Sequence, residues 1–327
     1  MPSATADRAR LQPATRDAPS VLDLVGNTPL VEIGKITRDL PPAVKVFAKL
    51  EGFNPGGSVK DRPALSMVRE GLKSGALRPG KTIIDSTSGN TGIALAMIGA
   101  ALGYPVELVM PENVSQERKK IIAAFGAKIT FSSGLEGSDG AIRLCREIYE
   151  AGRDRYFKPD QYNNEANSLA HFRTTGPEVW QQTDGRITHF VAGLGTGGTI
   201  MGTGRFLKSK RREVQAVGVE PDDAFHGLEG LKHMASSIVP GIFHEEELDR
   251  KIAASTEESY DMVYRLGREE GLVVGQSSGA ALLASLALGR ELREGLIVVL
   301  FPDFGDRYLS TNLWIGWQKL GSAEPRP

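Results

Sequence analysis

Four short stretches hold the residue types that covalent and anion chemistry needs. The first is Asn54-Pro-Gly-Gly-Ser-Val-Lys60-Asp61-Arg62, a Gly/Ser turn that hands the chain to a helix. Lys60 then lies at the first helical turn, where the helix dipole disfavours a cation and lowers the proton affinity of the amine. A neutral amine is the form that makes a Schiff base with a carbonyl. The second is Thr87-Ser88-Gly89-Asn90-Thr91-Gly92, between the apolar run 82–85 and an Ala-rich helix. Its hydroxyls and amides ring a helix N-terminus, a site for a carboxylate or phosphate. The third is Gly195-Thr196-Gly197-Gly198-Thr199, where glycines let the backbone come close to a phosphate and two threonines add hydroxyl donors. The fourth, Gly275-Gln276-Ser277-Ser278-Gly279, opens another Ala-rich helix with small hydroxyls of the kind that also cap helices. Singly, each is also the pattern of a surface lysine or a well-capped turn; together they are far more specific.

Two further matches compete. Gly75-Ala-Leu-Arg-Pro-Gly80-Lys81-Thr82 fits the nucleotide phosphate-loop pattern. There, however, a helix precedes the motif and a strand follows it, the reverse of the order that aims helix amides at phosphates, and Pro79 removes a donor. Gly193-Leu-Gly195-Thr-Gly-Gly198 fits the dinucleotide fingerprint, follows a strand and opens a helix. Glu220 ends the next strand roughly 20 residues on, where that fingerprint wants an acid. An NAD-dependent dehydrogenase is therefore a rival of a different class. The same turn equally holds a single phosphate, because its amides and dipole favour any anion. Cys145 is the one cysteine and reads as a core residue of an amphipathic helix, not a nucleophile. The histidines (His171, His189, His226, His233, His244) lack metal-ligand spacing, so no metal is expected.

These groups need a scaffold, and the chain supplies alternating strand and helix patterns. Strand patterns cover 46–50, 82–85, 106–110, 128–132, 188–192, 215–220 and 296–301. Helical patterns cover 62–75, 92–103, 115–125, a stretch ending at Leu207, 255–270 and 279–292. Such repeated units imply parallel sheets covered by helices, and two separate runs of them suggest two α/β domains. The least regular stretch, 222–247, is expected to be an active-site loop or partner surface.

Bulk properties exclude several classes. The chain has 327 residues, 40% hydrophobic and 24% charged, with a formal net charge of −1. No basic field attracts nucleic acid or an anionic membrane, so neither is an expected partner. No apolar run approaches the roughly 20 residues needed to span a bilayer. Residues 1–20, rich in Ala, Arg, Asp and Pro, read as a disordered leader of a cytoplasmic protein.

In order and spacing the motifs resemble the tryptophan-synthase-β-like (fold type II) pyridoxal-phosphate enzymes, and within them the cysteine synthases, or O-acetylserine sulfhydrylases. The likeness runs from Gly26-Asn27-Thr28-Pro29-Leu30 to Asp306-Arg307-Tyr308-Leu309-Ser310-Thr311 and takes in Met110-Pro-Glu-Asn113, Gln161-Tyr-Asn-Asn164 and Thr174-Thr-Gly-Pro-Glu178. It implies pyridoxal 5'-phosphate as cofactor and two three-layer α/β domains with the active site in the cleft between them. The boundaries expected are 48–163 for the N-terminal domain, 21–47 plus 164–316 for the C-terminal one, and 317–327 as a tail. The resemblance makes Lys60 the lysine that carries the cofactor and Asn90 the partner of its ring hydroxyl. It makes Gly195, Thr196, Gly197, Gly198 and Thr199 the phosphate cradle and Ser277 the group facing the pyridine nitrogen. Thr87, Ser88, Thr91 and Gln161 would hold the substrate carboxylate. A serine opposite the ring nitrogen makes a weaker electron sink than a carboxylate would, which suits β-elimination better than transamination. The expected reaction is β-replacement: an O-activated serine, O-acetylserine first, loses its leaving group to give an aminoacrylate, and a sulfur donor adds to make L-cysteine. The family also implies a homodimer.

Some features are similar to other branches. Phe225-His-Gly-Leu-Glu-Gly-Leu-Lys-His-Met234 followed by Ile238-Val-Pro-Gly-Ile242 resembles the B-type enzymes, some of which accept thiosulfate or a carrier-protein thiocarboxylate. Relatives that use O-phosphoserine place an arginine just after a Glu-Pro pair; here Asp222 follows Glu220-Pro221, which weakens that case, with Lys232 or a nearby histidine as a substitute cation. Pro302-Asp303 is similar to cystathionine β-synthases, which keeps serine and homocysteine as a further substrate pair.

Overall fold

In the computed structural model of the chain, residues 19–87 and 89–315 are described; the expected leader up to residue 18, Ser88 and the expected tail lie outside the described residues. The strands and helices in chain order are β1 (Leu30–Glu32), β2 (Val44–Leu50), α1 (Asp61–Lys73), β3 (Thr82–Ser86), α2 (Asn90–Leu102), β4 (Val106–Pro111), α3 (Gln116–Ala124) and β5 (Lys128–Ser132). There follow α4 (Gly137–Glu150), β6 (Tyr156–Phe157), α5 (Ala166–Arg173), α6 (Thr175–Gln182), β7 (His189–Gly193), α7 (Gly198–Lys210) and β8 (Gln215–Pro221). The chain closes with β9 (Arg250–Ala254), α8 (Thr256–Arg265), α9 (Gln276–Glu291) and β10 (Gly295–Phe301).

The strands form two sheets. The larger runs β1-β2-β10-β7-β8-β9 and the smaller β5-β4-β3-β6. Every pairing is parallel except that of β1 with β2. Helices cover parallel sheets on both faces, so central strands are apolar throughout. β10 shows this: Leu296, Val298 and Leu300 enter one core, while Ile297, Val299 and Phe301 enter another on the opposite face. In the smaller sheet Ile83, Leu108 and Met110 face one core, and Ile84 and Val109 face the other, with Cys145 of α4.

The strand patterns read from the sequence match the observed strands closely. Helices α2 and α9 begin two and three residues earlier than the apolar periodicity, because their first turns are built from Asn90-Thr91 and Gln276-Ser277-Ser278. Residues 255–270 are not one uniform helix: α8 gives way to a π-helical turn at Leu266–Glu270, stopped by Gly271 with φ +73°. Five elements escape the sequence patterns, among them the three-residue β1. α5 buries Asn167, Ser168 and His171, so its inner face is polar; α6 buries Thr175 and Gly176. β9 is a largely exposed edge strand and β6 has two residues. β2 carries Ala48, Lys49 and Leu50 in register with β10, so residue 48 lies inside a strand of the larger sheet.

Candidate active site

Ligands of open α/β sheets bind outside the carboxyl ends of parallel strands. Here the carboxyl ends of β3 and β4 in one sheet, and of β7 and β10 in the other, open onto a common cleft of about 490 Å³. Lys60, Thr87, Asn90, Thr91, Gln161, Gly195, Thr196, Thr199 and Ser277 line it together, although they are spread over two-thirds of the chain. Gly197 and Gly198 sit at the start of α7, directly behind.

Lys60 is the N-cap residue of α1, and its backbone N–H donates to the Ser58 hydroxyl at 3.2 Å. Its amine has a lowered proton affinity, chiefly because burial penalises the charged form; the Asp303 carboxylate opposes that shift. Desolvation thus takes the part that the sequence reading gave to the helix dipole. The turn before it is tightly seated. A Cβ on Gly56 would come 2.3 Å from an Asp61 oxygen, and Gly57, at φ +79°, lies against the Arg307 guanidinium.

Below that turn lies a buried ion network that sequence reasoning passed over. The Arg62 guanidinium donates to both oxygens of Glu51, at 2.7 and 2.8 Å, and to both of Glu178, at 2.6 and 2.8 Å. Lys49 donates to Glu178 at 2.7 Å and to the Thr28 carbonyl at 2.7 Å. Asn27 N–H donates to Glu178, and Gly26 N–H to Asn54. Two cations and two carboxylates therefore balance, as buried charges require. The Gly26-Asn-Thr-Pro-Leu and Thr-Gly-Pro-Glu178 motifs serve this clamp, which ties the strand β2, the helix α6 and the first turn of α1 behind Lys60.

The cradle at α7 is open. Gly197, the N-cap residue, has φ +83°; Gly198 N–H makes a long 3.4 Å contact with the Thr196 hydroxyl, and the amides that follow in the first turn are left for another acceptor. The glycines answer to protein neighbours as much as to a ligand: a Cβ on Gly195 would lie 2.5 Å from the Gly230 carbonyl, and one on Gly198 2.0 Å from Asn167. Helix α5 holds the cradle hydroxyls. Asn167 donates to the Thr196 hydroxyl at 3.1 Å, and the His171 ring lies 3.3 Å from that of Thr199. Burial pushes His171 down to about 3, so it acts as a neutral imidazole. Neither residue has a sequence signal, because α5 shows no apolar periodicity.

At the smaller sheet, the Thr87 hydroxyl accepts from Gly89 N–H at 3.0 Å and Gly92 N–H at 3.1 Å, folding the loop over the start of α2. Thr91 donates to Gln161 at 2.7 Å, and Gln161 donates to the Ser86 carbonyl at 2.8 Å. Asn90 donates to Asp303 at 2.6 Å and accepts from Arg307 at 2.9 Å. Ser277 lines the cleft and caps nothing; the N-cap position is Gly275. Segment 222–247 lacks regular structure apart from two short turns and supplies His226, Glu229 and Lys232 to the rim. Arg118 of α3 pairs with Glu229 there, and Lys232 with Asp139 of α4. Glu220 is engaged by Met234 N–H and Lys251, away from a ribose-binding role.

This donor set fits a phosphate ester bearing an aldehyde: an amine of reduced proton affinity, a glycine-rich helix N-terminus flanked by hydroxyls, and an oriented amide between them. Among the described residues no group of acidic, His or Cys side chains could hold a metal, and no helix is long and apolar enough to cross a membrane.

The comparisons with known proteins agree. Residues 21–303 match the family model described as pyridoxal-phosphate dependent enzyme. The chain is 58% identical over 308 residues to a cysteine synthase of Aquifex aeolicus, covering 93% of this chain and 94% of that one. It is 45% identical over 296 residues to cysteine synthase B of Pseudomonas aeruginosa, covering 90% and 97%. The crystal structure of cysteine synthase from Entamoeba histolytica superposes with a TM-score of 0.87 at 35% identity, covering 97% of this chain and 94% of that one. The rival dehydrogenase reading falls with these matches. Cleft, cradle, amine and likeness together place this chain in the family of pyridoxal-phosphate dependent enzymes.

Proposed function

We propose that the chain is a cysteine synthase that replaces the β-substituent of an O-activated serine, O-acetylserine first, with a sulfur nucleophile. The observation that carries this is the meeting of Lys60, the open cradle at 195–199 and the polar 87–91 loop in one cleft. The cysteine synthase likeness over nine-tenths of the chain supports it. Pyridoxal phosphate, when bound, supplies the electron sink that acidifies the Cα–H bond of the substrate.

In this reading the chain's own groups divide the work. Lys60 Nζ would hold the cofactor and, as a free amine, would take the Cα proton; burial favours its neutral, basic form. Gly195, Thr196, Gly197, Gly198 and Thr199 hold the phosphate, Asn90 the ring oxygen, and Ser277 faces the ring nitrogen. Thr87, Ser88, Thr91 and Gln161 orient the substrate carboxylate; Thr91 must turn its hydroxyl from Gln161 to do so. The pairs Arg118–Glu229 and Lys232–Asp139 draw segment 222–247 against α3 and α4 and exclude water from the reacting atoms. The reading takes residues 48–163 as one domain and 21–47 plus 164–316 as the other, with the active site between them, in a cytoplasmic homodimer. Exposed Phe225, Ile238 and Val239 on the rim segment suit a macromolecular contact, such as a sulfur-carrier protein.

The test is direct. Purified holoenzyme is mixed with O-acetylserine, O-phosphoserine or serine, each with sulfide, thiosulfate or homocysteine, and the amino-acid product is identified. Cysteine from O-acetylserine and sulfide at the highest kcat/KM is expected, and Lys60→Ala abolishes turnover with circular dichroism unchanged. Full activity in Lys60→Ala, or cystathionine as the preferred product, overturns the reading.

A further inference from the structure

Asp303 lies just past β10 and is 1% exposed; its backbone bridges to Ser58 and accepts from Gly275 N–H, which leaves its side chain to be explained. Its Oδ2 accepts from Asn90 Nδ2 at 2.6 Å and from the Tyr308 hydroxyl at 2.6 Å. Its Oδ1 is sealed from solvent without a hydrogen-bond partner among the described residues. That oxygen presses on Gly275, where a Cβ would come 2.2 Å away. A buried carboxylate with an unused oxygen is costly and calls for a reason.

The reason is visible at Asn90. A carboxamide at a helix start can turn over and exchange its oxygen for its nitrogen at little cost. Here two charged neighbours forbid that. Arg307 can only donate, and it donates to Asn90 Oδ1 at 2.9 Å while its other arm holds the Gly56 carbonyl. Carboxylate Asp303 can only accept, and it takes one N–H of Asn90 Nδ2. A single orientation satisfies both, and it leaves the second N–H of Nδ2 as a donor.

We propose that Asp303, acting with Arg307, is a positioning residue that locks the Asn90 amide with its remaining N–H presented to the ring oxygen of the cofactor. This rests on the proposed role of Asn90. An uncharged side chain at 303 removes one of the two restraints and narrows the preference over the flipped orientation, which sets oxygen against oxygen.

The experiment compares wild type, Asp303→Asn, Asp303→Ser, Asn90→Ala and the double variant Asp303→Asn/Asn90→Ala. Two readouts are taken: affinity of the apoprotein for pyridoxal phosphate, by fluorescence titration, and the position of the visible absorption band of the reconstituted protein. Exchanging a charge-assisted hydrogen bond for a neutral one predicts about tenfold weaker cofactor binding in Asp303→Asn and in Asp303→Ser. Their bands move in the same sense as that of Asn90→Ala. The double variant binds no more weakly than Asn90→Ala alone, since the two residues act as one unit. Additive losses in the double variant, or unchanged affinity and band position in the Asp303 variants, overturn the proposal. Wild-type protein that takes up cofactor while Asn90→Ala binds it equally well overturns instead the role of Asn90 from which the proposal starts.

Discussion

Replacing Glu178 by glutamine should destabilise the protein through the clamp behind Lys60. Glu178 accepts from Lys49 and from two nitrogens of Arg62, and its side chain is only 13% exposed. These cations hold its carboxyl down to about 2, below the usual 4.5, against the opposing effect of burial. A difference of that size corresponds to roughly 3 kcal/mol at neutral pH, the range found when one partner of a buried pair is removed. Because the folded pKa lies below the unfolded one, the contribution is complete above the unfolded value and is lost as pH falls towards the folded one. Wild type and Glu178→Gln should therefore differ by roughly 3 kcal/mol near pH 7 and by about half that near pH 3. Urea unfolding of both proteins at equal cofactor saturation measures this. A gap below about 1 kcal/mol near neutrality, or one that does not narrow in acid, refutes the electrostatic account. The seat of Lys60 depends on the same clamp, so kcat of the variant should fall even where the protein remains folded.

Two further outcomes follow from the same geometry. Burial pushes the Asp61 carboxyl up to about 7 from 3.8, so the folded state holds that proton more tightly and stability declines as pH rises between those values. Asp61→Asn should flatten that decline and raise stability near pH 8 by up to about 4 kcal/mol; unfolding curves across pH that stay parallel to wild type would count against it. Gly202 lets α7 press on α5, since a Cβ there would stand 1.9 Å from the Ser168 carbonyl. Gly202→Ala should cost about 1–3 kcal/mol by overpacking and, through Asn167 and His171, weaken phosphate binding; an unchanged thermal midpoint and cofactor affinity would show that α5 does not position the cradle.

The order of strands and helices was legible in the chain because each period is a local property. A strand buried on both faces reads as a continuous apolar run, as 296–301 does, and glycine turns mark where strands pass into helices. The motifs around Lys60, Asn90, Thr196 and Ser277 were legible for the same reason, each lying within a few residues of a helix start. What the chain did not disclose is which groups hold those residues in place. Asn167 and His171 come from a helix with a polar inner face, and Asp303 and Arg307 reach Asn90 from more than 200 residues away. Their partners are chosen by the crossing of two sheets, and a hydrogen bond or buried ion pair leaves no period in the sequence. The lowered proton affinity of Lys60 was likewise foreseen in direction but not in cause: the dipole of α1 is written in the chain, whereas burial of the amine and the facing Asp303 carboxylate exist only once the two halves of the cleft have met.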